Sequence, residues 1–169
     1  MRILLLAAVA ALSLAAGAAQ AGEVLYGKAR IGDDIATVRA AQPAARPPKE
    51  PDRLNDADLG LVLEGQFHLG GTWRIRWFFL DGGLDAVQLT RSPAPGHRAD
   101  DIRQAQLFLK GLSVIHRGEW RCKQPVDPEK TSYLDCDIEG DKINVGYSYM
   151  DFGGGPYEII VYRSKRPLD

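Results

Sequence analysis

This sequence is poor in the residues that build catalytic and metal centres. It holds three histidines and two cysteines among 169 residues. His68, His97 and His116 fall on a strand, in a loop and at a helix end, and no two have metal-ligand spacing. No Gly-x-Ser-x-Gly elbow is present, and the serines stand away from any base-and-acid arrangement, so nucleophilic hydrolysis is not expected. Gly153-Gly154-Gly155 lacks the lysine and the helix of a phosphate loop. The run from Asp135 to Asp141 begins like a calcium loop, but Gly146 stands where the closing glutamate belongs and the flanks alternate like strands. An excess of positive charge is also lacking: 21 Lys and Arg face 22 Asp and Glu. Nothing here favours nucleic acid or an anionic membrane surface. The expectation is therefore a protein without cofactor, metal or catalytic residues.

Long apolar runs are missing except at the start. Residues 3–16 are apolar apart from Ser13, follow Met1-Arg2, and lead to the small-residue site Ala19-Gln20-Ala21. That is the pattern of a secretory signal peptide, residues 1–21, cleaved before Gly22. The run is shorter than the ~20 apolar residues of a membrane span. No cysteine near the cleavage site offers a lipidation point. The expected product, residues 22–169, is one periplasmic or secreted domain with no membrane anchor. Losing Arg2 leaves 20 basic against 22 acidic side chains. In an oxidising compartment Cys122 and Cys136 are expected to form a disulfide. Their C-x13-C spacing, with no histidine beside it, does not suit a metal.

What the sequence does have is strand alternation interrupted by glycine turns. Ile35 and Val38 at helical spacing, opened by Asp33 or Asp34 and stopped by Pro43, predict a short helix. Four prolines between positions 43 and 51 mark a long connection. Leu61, Leu63, Phe67 and Leu69 alternate with Val62, Glu64, Gln66 and His68, with Gly65 marking a bulge or a close approach. Trp73, Ile75, Trp77 and Phe79 form the inner side of the next strand, leaving Arg74, Arg76 and Phe78 opposite. Gly70-Gly71 and Asp81-Gly82-Gly83 are the turns on either side. A second helix, capped by Asp100-Asp101 and ended at Gly118, carries Ile102, Ala105, Leu109, Leu112 and Ile115. Strands over Leu134 to Ile138, Ile143 to Tyr149 and Tyr157 to Tyr162 follow. A helix followed by a meander thus occurs twice.

Two stretches carry a family likeness. One is Ile31-Gly32-Asp33-Asp34-Ile35-Ala36-Thr37-Val38-Arg39. The other is the aromatic strand from Trp73, with Asp81-Gly82-Gly83-Leu84 and Val87-Gln88-Leu89. Together they resemble small envelope proteins of the SmpA/OmlA type and are similar to the β-lactamase-inhibitor-protein fold. The resemblance covers residues 26–89. It implies short helices on one face of an antiparallel meander, and a protein-binding function. The lipidated cysteine of the lipoprotein members is absent, and with it the implied tether.

The expected fold is α+β: antiparallel meander sheet or sheets, two main helices on one face, and one disulfide. The expected function is non-catalytic binding of another envelope protein, as an inhibitor, immunity protein or assembly factor. Arg74, Arg76, Phe78 and His68, on the face the helices leave free, are the candidate binding residues, since arginine and aromatics dominate binding hot spots. The alternative is a carrier of a small ligand or metal, with a pocket lined by Trp77, Tyr147 and Tyr149.

Overall fold

The structure, a computed structural model, describes residues 22–94, 96, 98–123, 127, 132–151 and 155–165. The signal-peptide expectation at residues 1–21, His97, and the glycines at 153 and 154 lie outside them. The first strands, β1 (Val24–Tyr26) and β2 (Ala29–Arg30), make a small hairpin that buries Leu25 and Ala29. Helix α1 (Ile35–Ala41) follows. Asp34 is its cap, accepting a hydrogen bond from the Thr37 N–H at 2.7 Å, and Asp33 instead accepts from the Arg30 N–H. So short a helix stands on its packing, and here one side chain, Val38, is fully buried.

Four strands come next: β3 (Arg53–Leu54), β4 (Ala57–His68), β5 (Gly71–Leu80) and β6 (Gly83–Arg91). The turns joining β4 to β5 and β5 to β6 are tight two-residue loops. Leu69-Gly70 and Asp81-Gly82 both take positive φ, the geometry that suits the twist of a hairpin. Helix α2 (Arg98–His116) buries Ile102, Ala105, Leu109 and Leu112. It begins ahead of Asp100 and Asp101, so these charges sit in its first turn instead of capping it. At its other end Arg117, not Gly118, takes the left-handed conformation, and the Gly118 N–H reaches back to Ser113 C=O. Gly118 is needed for a different reason: a Cβ there would lie 2.6 Å from the Ile138 side chain. The chain ends in β7 (Arg121–Cys122), β8 (Tyr133–Glu139), β9 (Ile143–Met150) and β10 (Tyr157–Ser164).

All eight strands after the hairpin form one antiparallel sheet in the order β3-β4-β5-β6-β10-β9-β8-β7. The two meanders meet edge to edge at β6 and β10. The disulfide Cys122–Cys136 joins directly opposed residues of β7 and β8. One apolar cluster runs under both meanders. It unites Val38 of α1, Leu25 and Ala29 of the hairpin and the α2 stripe with Trp73, Trp77, Leu89, Tyr147 and Ile160. Both helices therefore lie on one face of the sheet, called inner below. At the seam, Arg91 of β6 pairs with Glu158 of β10, which also accepts a hydrogen bond from Tyr147 OH at 2.8 Å. The Arg91 guanidinium sits 4.4 Å from the Trp73 ring, beneath Phe108 of α2. No described helix is long and apolar enough to cross a membrane.

Candidate functional site on the helix-free face

The outer face is built by alternation from the same strands. Arg74, Arg76 and Phe78 of β5 stand on it beside Val62 and Glu64 of β4 and Ala86, Gln88 and Thr90 of β6. The second meander adds Ile159 and Val161, Ser148 and Met150, and Tyr133 and Asp135, all half-buried. No helix lies on this face among the described residues. The second half of the chain extends the sheet sideways, so it does not cover the first.

A proline strap crosses part of the face. Arg46 pairs with Val62, and the Leu59 N–H donates to Asp52 C=O, so the chain is held to β4 at both points. Between them Pro47, Pro48, Lys49, Glu50 and Pro51 arch away. They leave a cleft of about 1010 Å³ floored by Leu59, Val62, Arg74 and Arg76. Arg76 is the tie between strap and sheet. Its guanidinium pairs with Asp52 of the strap, donates to Gln88 Oε1 at 2.9 Å, and lies 5.3 Å from the Phe78 ring centroid. The Arg53 backbone N–H and then Arg76 hold the Asp52 carboxyl below its usual range. Arg74 is different: it is half exposed and pairs with the exposed Glu64 at 3.0 Å.

On the second meander Asp135 gathers Lys123, Tyr133 OH at 2.9 Å and Ser148 Oγ at 3.2 Å. Burial pushes its carboxyl up, but the bonds from Lys123 and Tyr133 outweigh burial and hold it low. Among the described residues no group of three or more His, Cys, Asp and Glu is placed to hold a metal.

Two of the four residues expected on an open outer face stand elsewhere. Phe78 is on that face but fully buried. A bulge at Gly60 pairs Leu59 with Phe78, and Ala57, Val62, Ala86 and Leu54 complete a small second core around the ring. His68 is on the inner face. A second bulge at Gly65, where φ is +67°, shifts the pairing of β4 by one residue, and every side chain beyond it changes side. His68 packs on Tyr26, with ring centroids 5.1 Å apart, while Phe67 turns outward and is 71% exposed. Arg74 and Arg76 stay together on the outer face, joined by the strap residues, which sequence reasoning missed. The signal available for the strap was its density of proline beside charge. The pocket expected between Trp77, Tyr147 and Tyr149 is filled: all three are core side chains with at most 1% exposure.

No protein-family model, no curated protein and no solved structure matches this chain.

Proposed function

We propose that this chain is a non-catalytic, exported binding module that recognises another envelope protein through the outer face of its sheet. The observation that supports this reading is the edge-to-edge join of the two meanders. It leaves a broad helix-free surface with an apolar-floored cleft at one end, rimmed by Arg74, Arg46 and Lys49 and by Glu64 and Glu50. Mixed charge around apolar ground is the composition of a specific protein interface more than of a solvated sheet. Helices on one side of an antiparallel sheet are also what the resemblance to the β-lactamase-inhibitor-protein fold implies, and there the function is protein binding. The disulfide supports an oxidising compartment.

Position-specific photo-crosslinking tests the reading. A crosslinker at Thr72 or Val161, on the outer face, should capture one defined partner from an envelope extract. One at Val114, on the solvent side of α2, should not. Arg74→Glu should weaken capture at least tenfold, because it places like charge opposite Glu64 and at the cleft rim. Equal capture from both faces, or capture unchanged by Arg74→Glu, overturns the proposal. Phe78→Ala is unsuited to this test, since it hollows the small outer core.

A further inference from the structure

A second cleft, on the inner side, has a character of its own. Five elements far apart in sequence meet there: β1, the end of α1, the end of β4, the end of α2, and β10. Its volume is about 420 Å³, within the roughly 300–1,000 Å³ of small-ligand sites. Its polar side chains are Tyr26, Gln42, Gln66, His68, His116 and Tyr162, and apolar walls come from Leu69 and Ile115. No Lys, Arg, Asp or Glu lines it among the described residues.

The rings are arranged in pairs. Tyr26 meets His68 edge-on at 5.1 Å, and His116 lies 5.4 Å from Tyr162. Tyr26 in turn packs on the core residue Trp77 at 6.3 Å. Burial pushes both imidazoles below the usual histidine value. Burial also raises the Tyr26 hydroxyl. It raises the Tyr162 hydroxyl further, with a smaller push from Tyr26, up to about 12. All four rings are uncharged at neutral pH. One atom is left over: His116 Nε2 is buried with no hydrogen-bond partner. An unmet buried polar atom costs about 1–3 kcal/mol, and a protein keeps few of them.

We infer that this cleft is a binding site for a small, flat, uncharged molecule bearing a hydroxyl, of the phenol or hydroxyarene class. The rings supply flat apolar faces and edges for one or two fused rings. The hydroxyl is the complement of His116 Nε2, because it can donate to that nitrogen or accept from it, whichever tautomer is present. An anion finds no cationic side chain on the walls, and a cation finds no carboxylate.

The probe is 2-naphthol, titrated into the purified chain and followed by the histidine imidazole NMR signals, each assigned by single His→Gln replacement. Saturable shifts should appear at His116 and His68 and not at His97. His116→Phe keeps the ring against Tyr162 but removes Nε2. It should weaken binding at least tenfold without lowering the thermal midpoint. The anionic 2-naphthoate should bind at least tenfold more weakly than 2-naphthol. The inference falls if no saturable shift appears up to the solubility limit, if His97 responds equally, or if His116→Phe binds as well as the parent. It also falls if naphthoate binds as tightly as naphthol. None of these results bears on the outer-face crosslinks, so the two proposals stand or fall separately.

Discussion

Replacing Glu158 with Gln should be among the most damaging single changes in the molecule. Glu158 is 6% exposed and Arg91 19% exposed as side chains, so the pair is largely removed from water. Glutamine keeps the carbonyl that Tyr147 OH needs. It cannot keep a negative charge for Arg91, and its NH2 group turns a donor toward a donor. Removing one member of a buried ion pair typically costs about 3–5 kcal/mol. The partial exposure of Arg91 lets some water return, which places the expected loss near ~3 kcal/mol. A domain of ordinary stability has only about 5–15 kcal/mol in all. With a urea slope of roughly 1–3 kcal/mol/M, the unfolding midpoint should fall by about 1–3 M while the slope stays constant. Tryptophan fluorescence is the natural readout, since Trp73 lies directly against the Arg91 guanidinium. Converting the whole network to apolar side chains, Arg91→Met with Glu158→Leu and Tyr147→Phe, should cost less than Glu158→Gln alone, because no group is left uncompensated. A loss under about 1 kcal/mol for Glu158→Gln would show that Arg91 does not depend on a buried countercharge. A triple variant worse than the single one would show that the network stabilises the seam by more than its own desolvation costs, against the expectation.

Other expectations follow from the same geometry. Reducing the Cys122–Cys136 bridge, which closes a sequence separation of 14, should cost about 3 kcal/mol. Calorimetry with and without reductant should then show the midpoint falling by roughly 6–12 °C. Gly60→Ala should cost about 1–3 kcal/mol, because the added Cβ would meet the Phe79 ring at 2.6 Å, and a urea melt would show it. Gly71→Ala should displace the Arg91 guanidinium, which lies where that Cβ would stand, and so reproduce part of the Glu158→Gln loss in the same fluorescence melt. Stability should also fall with acid in a defined window. The folded-state pKa values of His68 and His116 lie below the ordinary 6.5, so the unfolded chain takes up these protons first. Their contribution is complete above 6.5 and is lost as pH falls through the lower folded values. Urea melts between neutral and mildly acidic pH should show that loss, and the double replacement His68→Phe/His116→Phe should flatten it.

The alternation of Trp73, Ile75, Trp77 and Phe79 made the inner side of β5 legible, because a strand's period of two follows from its backbone alone. The two helices and the disulfide were legible for similarly local or compositional reasons. Phe78 was not, since its burial depends on the Gly60 bulge bringing Leu59 beside it and on the Arg76 guanidinium lying over its ring. His68 was misplaced by one inserted residue: Gly65 was recognised as irregular, but which way a bulge resolves is decided by pairing with β5, not by the local sequence. The seam was invisible for a simpler reason. Arg91 and Glu158 are 67 residues apart, and each looks like an ordinary polar residue near a strand end. The inner cleft was hidden likewise, its histidines dismissed one by one because β4 and α2 meet only in the fold.

The position of β10 has a consequence for how the molecule is made. The last strand of the described chain lies in the middle of the sheet, between β6 and β9. As the polypeptide emerges from its amino end, β6 must wait with its hydrogen-bonding edge bare until almost everything else has appeared. Neither meander can seat against the other before then. Assembly is thereby delayed until the chain is nearly all delivered, which suits a polypeptide threaded across a membrane before it folds. It also makes the carboxyl-terminal strand a keystone: deleting it splits the sheet at its centre and bares two sticky edges at once.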